Sequence, residues 1–312
     1  MSKPDLSIII ATHNRLDFLQ SCLAALAPQV KGQAVEVIVV DSCGSPQLAQ
    51  GLKELVQRHD FRYERLETLG VAKARNRGAE LCSAQWFATL DVDAVVNPGW
   101  LSGALIAIAK AEHDSGLIQG RVEPLWLDQV PDRVETRHAR FLSIVLADSN
   151  HDMAGPAHCA GANMLVRRAA LATIGGYGES FGRVGTNLAS GIDTDLVERL
   201  RAAGQSIFYR NAFSVCHAVP GIRLTREWLR RRSIEDGRAC GQIVFTRGGA
   251  VQRMRTVIKS LAALPLLMLM SLASPGSTDL LIRRWVNQGI LEFAPKLGRL
   301  ARAINARVAH HR

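Results

Sequence analysis

Asp91-Val92-Asp93 is the stretch of this sequence whose chemistry is plainest. It follows directly on the apolar run 86–90, which reads as a buried strand. In a parallel α/β sheet, ligands bind beyond the carboxyl ends of the strands, so a carboxylate pair placed there faces a site. Alternate residues of an extended segment point to opposite sides, which lets one carboxylate face a cation and the other a sugar or a supporting group. Carboxylate oxygens are hard ligands, suited to Mg²⁺ or Mn²⁺ held jointly with substrate phosphates. The competing reading is a surface loop, and only position along the fold separates the two.

Other polar residues close other apolar runs. Asp41 ends the run 35–40, just before Ser42-Cys43-Gly44-Ser45, a loop able to approach a nucleotide; an Asx-turn or a helix cap is the alternative. Thr12 and Asn14 end the first run, 6–11, where capping the next helix is the alternative. Residues 70–78 open a helix with small side chains and three cations, Lys73, Arg75 and Arg77. Cations near a helix start favour an anion such as pyrophosphate, although a solvated basic face has the same composition.

The elements that would position these residues can be read from periodicity. Strand 6–11, a helix marked by Leu16, Leu19, Leu23 and Leu26, and strand 35–40, rich in β-branched residues, form the opening of a parallel sheet. An edge strand over 61–66 and a helix over 71–82 precede the strand 86–90. Asn97-Pro98 has the character of an N-cap and first helical residue, with Leu101, Leu105 and Ile108 as the buried stripe. Strands are expected at 117–127, 162–166 and 206–210. Helices are expected within 134–146 and over 195–203, the latter closed by Gly204, and Gly175-Gly176 marks a turn. The fold class that follows is α/β: one mixed, mainly parallel sheet flanked by helices.

Beyond about residue 222 the character changes. The chain carries a net charge of +10, and its basic residues concentrate late: Arg223, Arg226, Arg230, Arg231, Arg232, Arg238, Arg247, Arg253 and Arg255, then Arg283, Arg284, Lys296, Arg299, Arg302, Arg307 and Arg312. An arginine-rich helix over 225–239 precedes the apolar segment 257–273. Its uninterrupted part, 261–273, contains Pro265 and is shorter than the roughly 20 residues of a membrane span. An interfacial or re-entrant helix fits that length, with a packed core helix as the alternative. The expected organisation is a catalytic domain over 1–222 and a basic, apolar, membrane-associated helical extension over 223–312. The expected partner of the extension is an anionic membrane surface.

Apolar residues form 47% of the sequence and charged residues 21%, which excludes a disordered chain. Six scattered cysteines with no Cys-x-x-Cys spacing suit a reducing compartment. The start reaches a strand by Leu6 without a basic and then apolar leader. The expected location is therefore cytoplasmic, peripheral at the inner face of the cell membrane. The arginine-rich stretch lacks interleaved stacking aromatics, so nucleic acid is not an expected partner.

With these segments in order, the sequence resembles the family 2 glycosyltransferases of GT-A fold. The resemblance is carried by Ser7-Ile8-Ile9-Ile10-Ala11-Thr12-His13-Asn14-Arg15, Val37-Ile38-Val39-Val40-Asp41, the Gly70 to Gly78 segment and Asp91-Val92-Asp93. It continues through Gly161-Ala162-Asn163-Met164-Leu165-Val166-Arg167-Arg168, Gly175-Gly176-Tyr177 and Asp193-Thr194-Asp195-Leu196, and covers roughly residues 5–217. It implies that Thr12 and Asp41 contact the nucleobase, with Asn14 beside them, and that Arg75 lines the donor pocket. Asp93, and less directly Asp91, would hold Mn²⁺ or Mg²⁺ against the donor diphosphate, with His217 near that metal. Asp193 matches the family's general base, with Asp195 in reserve, although Asp195 and Glu198 also have capping-box spacing. Ile192 stands where the family usually has glutamate.

The implied activity is an inverting transfer of one sugar from a nucleotide-diphosphate sugar to an acceptor, and the basic, apolar C-terminal region points to a saccharide or lipid-linked saccharide acceptor in cell-surface polysaccharide synthesis. Processive members carry Gln-x-x-Arg-Trp; here Leu281 precedes Arg284-Trp285, which points to a non-processive enzyme. A sugar-nucleotide-binding module without catalysis, suggested by Ile192, and a basic nucleic-acid-binding protein are the alternatives.

Overall fold

The computed structural model describes residues 3–128, 130–132, 134–153, 158–182, 188, 190–274 and 277–292. The late basic residues Lys296, Arg299, Arg302, Arg307 and Arg312 lie outside them. The chain divides into two compact units. The first comprises Met1–Gln129, Leu142–Thr186 and Ile192–Pro220; the second comprises Val130–Phe141, Asn187–Gly191 and Gly221–Arg312.

The first unit is built on a nine-stranded sheet. Its strands are β1 (Leu6–Thr12), β2 (Val35–Ser42), β3 (Arg62–Leu66), β4 (Trp86–Asp91), β5 (Ala94–Val96), β6 (Ser115–Trp126), β7 (His151–Asp152), β8 (Asn163–Arg167) and β9 (Ser206–Val219). Their order is β3-β2-β1-β4-β8-β6-β9-β5, with β7 paired to β9. Strands β1 to β4 are parallel, and β8 runs against both β4 and β6.

The apolar runs are continuous, not alternating, because both faces of the sheet are covered. Leu6, Ile8 and Ile10 join the core with Leu19, Leu23 and Leu26 of α1 (Leu16–Val30). Ile9, pointing the other way, meets Gly78 of α3 (Val71–Leu81). Each fully buried side chain of this kind contributes about 1.5–3 kcal/mol relative to its exposed state. The register then aligns the strand ends: Thr12 lies opposite Asp41, and Ala11 lies opposite Asp91. Three of the polar residues singled out in the sequence thus reach one edge together.

Several elements depart from the expected ones. Helix α2 (Pro46–Gln57) was not among the expected elements; Ser45 caps it by accepting a hydrogen bond from the Leu48 N–H, and Pro46 opens it. Helix α4 (Trp100–Ala109) starts after Gly99, not at Pro98; the Asn97 side chain instead donates to Ser214 Oγ at 2.8 Å. Only Thr136–Phe141 of the expected helix within 134–146 is helical, as α5. The short helix expected between strand 162–166 and the Gly175-Gly176 turn is present as α6 (Arg168–Thr173), whereas α7 (Ile192–Ala202) begins three residues earlier than expected. Strand β9 continues past residue 210 to Val219, because the irregularity that pairs Gly120 with Arg210 but Arg121 with Ser214 breaks its alternation without ending it.

The second unit holds a 3-10 turn (Gly221–Leu224), α8 (Arg226–Arg247), α9 (Ala250–Ala273) and a further helix, α10, over 278–292. Its core is Phe141, Leu229, Ile234, Leu281, Ile282 and Trp285. Helices α8 and α10 approach backbone to backbone: a Cβ on Gly237 would lie 2.1 Å from the Val286 carbonyl oxygen, and one on Gly289 would lie 2.1 Å from that of Ile234. Helix α9 corrects the reading of 261–273 as too short for a span. At 24 residues it is long and apolar enough to cross a membrane, and Pro265 inside it removes one backbone donor without ending it.

Candidate active site

Asp91 closes β4, and the chain turns at once into β5, whose Ala94 pairs with His217 of β9. That short strand, too brief to be seen in the sequence, sets His217 beside Asp93. Its Nε2 lies 3.3 Å from Asp93 Oδ1, and the Ala218 N–H donates to the Asp93 carbonyl at 2.9 Å. One ligand atom from each of Asp91, Asp93 and His217 falls within 4.8 Å of the others. Two carboxylate oxygens and an imidazole nitrogen form a donor set suited to Mn²⁺ or Mg²⁺, with positions left for phosphate oxygens. The residues present therefore fit the expected ion.

Arg75 organises the other side of this cluster. It projects from α3 and is buried, with Nη2 donating to Asp91 Oδ1 and Nη1 to Asp193 Oδ1, each at 2.9 Å. Burial alone would lower its pKa; Asp193 and Asp91 more than reverse that, so the guanidinium stays charged. A buried cation without such partners would cost several kcal/mol. One side chain thus ties a carboxylate of the expected metal set to the expected base.

Asp193 stands in the first turn of α7, and its Oδ2 accepts the Gly161 N–H at 3.0 Å. Burial raises its pKa above the ordinary carboxylate value; Arg75 opposes that rise, and the Asp91 charge adds to it. Its side chain is still 27% exposed, so an acceptor hydroxyl has a way to it. Asp195, in reserve from the sequence, is fully buried and paired with Arg199 at 2.8 Å. Arg199 in turn donates to the Ile174 and Gly176 carbonyls, pinning the Gly175-Gly176 turn. Geometry therefore favours Asp193 over Asp195 for proton transfer. Ile192 is buried and packs over Gly182, so its side chain is not among the carboxylates.

Along the strand ends, Asp41 is fully buried, with Oδ1 accepting the Gly44 N–H at 3.2 Å and Oδ2 the Tyr63 hydroxyl at 2.9 Å. Thr12 is buried beside it in register, and its hydroxyl has no hydrogen-bond partner among the described residues. Asn14, held at φ 53°, accepts the Ser45 N–H at 2.8 Å and so ties the end of β1 to the start of α2.

Two residues of the cluster had no role in the sequence reading. Tyr177 lies with its ring 5.7 Å from the Arg75 guanidinium carbon, and its buried hydroxyl has no hydrogen-bond partner among the described residues. Gly161 is required by close approach, since a Cβ there would lie 1.9 Å from Arg75 Nη2. Both stand in motifs legible as sequence, but their partners come from a helix about 90 residues away. Gly161→Ala is therefore expected to push Arg75 off both carboxylates and to lower kcat about a hundredfold, the effect of a misplacement near 1 Å. Steady-state kinetics, with the unfolding midpoint as a control for folding, check this.

Comparison with known proteins bears on what the cluster does. Residues 7–175, just over half of the chain, match the family described as Glycosyl transferase family 2. Glucosyl-dolichyl phosphate glucuronosyltransferase of Haloferax volcanii is 24% identical over 172 residues, 55% of each protein, so the chain spans about half the length of that relative. Succinoglycan biosynthesis protein ExoM of Rhizobium meliloti is 24% identical over 259 residues, 80% of this chain and 78% of that one. Among solved structures, the mannosyltransferase PcManGT of Pyrobaculum calidifontis, in complex with GDP-Man and Mn²⁺, matches with a TM-score of 0.61 at 16% identity. That match covers 94% of this chain and 88% of the other. At such identity the likeness speaks for the fold.

Proposed function

The chain belongs to glycosyl transferase family 2 and carries the GT-A fold, and from that premise we propose that it transfers one sugar per encounter, with inversion, from a nucleotide-diphosphate sugar to a saccharide acceptor. The observation that carries this reading is the Arg75 bridge, which holds Asp91 and Asp193 in one cluster. A donor diphosphate near Asp91 and an acceptor hydroxyl near Asp193 are then neighbours.

In this reading Thr12, Asn14 and Asp41 receive the nucleoside at the strand ends. Asp91, Asp93 and His217 would hold Mn²⁺ or Mg²⁺, whose charge supplies stabilisation for the departing diphosphate. Asp193 accepts the proton of the acceptor hydroxyl as that oxygen bonds to the anomeric carbon from the face opposite the phosphate. The bond from the anomeric carbon to the phosphate oxygen breaks, and the nucleoside diphosphate leaves with its electron pair. One displacement inverts the centre. Arg75 keeps the Asp193 carboxylate oriented throughout.

A glycan acceptor carried on lipid phosphate is supported by the relatives, one named for glucosyl-dolichyl phosphate and one for succinoglycan biosynthesis. The arginine-rich α8 and the apolar α9 support a location at the cytoplasmic membrane face. A panel of nucleotide sugars, scored for nucleoside diphosphate release with an acceptor extract and Mn²⁺, tests the proposal. Release from one donor class, with the product's anomeric configuration opposite to the donor's by NMR, is expected. Retained configuration, or no release from any donor, would contradict it.

A further inference from the structure

The second unit contains a cavity of about 440 Å³ lined by Arg226, Glu227, Arg230, Leu281, Arg284 and Trp285. Arg226 and Arg230 stand one turn apart on α8, both exposed, and neither makes an ion pair among the described residues. Leu281 and Trp285 belong to the unit's apolar core, so the floor is an indole and a leucine under a basic rim. Glu227 offsets one of the three charges and leaves the cavity net positive. Three guanidiniums over an apolar floor match a ligand with a phosphate at one end and hydrocarbon at the other.

Helix α9 adds the second observation. Arg284 Nη1 donates to Ser271 Oγ near the end of α9 at 3.4 Å, which joins the cavity wall to that helix. Leu266, Met268, Leu269, Met270 and Leu272 of the same stretch are all exposed. An apolar helix surface of this size calls for a hydrocarbon environment, and guanidiniums beside it fall at the depth of lipid phosphates.

We propose that this cavity binds the phosphate headgroup of a membrane lipid, with Arg226, Arg230 and Arg284 on the phosphate and Trp285 and Leu281 against the first methylenes. The proposal extends the membrane-face reading above and names the residues that would recognise the lipid. The test uses the full chain and dihexanoyl phosphatidic acid below its micelle concentration, titrated by calorimetry. The wild type is expected to bind one molecule per chain, and Arg226→Ala/Arg230→Ala to bind at least about tenfold more weakly. Both side chains are exposed, so the unfolding midpoint should hold. Arg253→Ala/Arg255→Ala removes the same charge from exposed sites that do not line the cavity and should bind as the wild type does.

Absence of wild-type binding, equal weakening in both double variants, or equally tight binding of inorganic phosphate alone would overturn the proposal. Vesicle flotation reads the membrane location separately. A chain that floats with phosphatidic acid vesicles but whose cavity variant binds the short lipid normally sinks this inference alone. A chain that binds the short lipid through the cavity but does not float sinks the membrane location alone.

Discussion

Asp193→Asn is expected to lower kcat about a thousandfold while donor affinity changes by no more than a few-fold. Positioned general bases contribute about 10²–10⁴ to rate. Asparagine keeps the shape and one acceptor oxygen but cannot take a proton. Asp193 faces two donors, Arg75 and the Gly161 N–H, so the new amide NH₂ must meet one of them. The cost in folding stability is about 1–3 kcal/mol, which an unfolding curve would register. Alanine would be a poorer choice, because removing one partner of a buried ion pair costs about 3–5 kcal/mol and would confuse misfolding with lost chemistry.

The same residue sets a pH dependence. A base works when ionised, and burial holds this carboxyl above the ordinary range, so turnover should fall as pH drops through a value above the usual carboxylate pKa of about 4. Profiles of kcat/KM against pH should show that acidic limb in the wild type and not in the residual activity of Asp193→Asn. Uniform loss of donor binding in the variant, with the limb unchanged, would instead make Asp193 a structural residue.

Asp93→Ala should act through a different step. It removes the residue that faces His217 and one of the three groups that could hold a metal ion. Turnover is expected to fall about a hundredfold or more, since electrostatic stabilisation of a developing anion is worth about 10²–10³ per group. The metal concentration needed for half-maximal activity should rise, and the acidic limb should stay in place. Asp193→Asn should leave that concentration unchanged. The two variants are thus distinguishable by what they do not alter.

Much of the site was legible because parallel strands bring residues far apart in sequence to one edge. Asp91, Asp41 and Thr12 each end an apolar run, and the register sets them side by side. The Arg75 bridge was not legible. Arginine in a helix start reads equally well as a solvated face, and nothing local says that it is buried between Asp91 and Asp193. His217 reaches Asp93 through a three-residue strand, shorter than any periodic signal, and on a portion of β9 that follows an irregular pairing. In the second unit, the uninterrupted apolar run understated α9, because its first three turns are interspersed with Arg253, Arg255 and Lys259. A helix continues through such residues when its backbone bonds are made, whatever the hydropathy pattern does.

The central claim is that sugar transfer depends on a divalent cation held by Asp91, Asp93 and His217. Turnover measured in excess chelator, and again after Mn²⁺ or Mg²⁺ is restored, tests it most directly. Activity should vanish in chelator and return with the ion, fully in the wild type and poorly in Asp93→Ala. Undiminished turnover of the wild type in chelator would contradict the account.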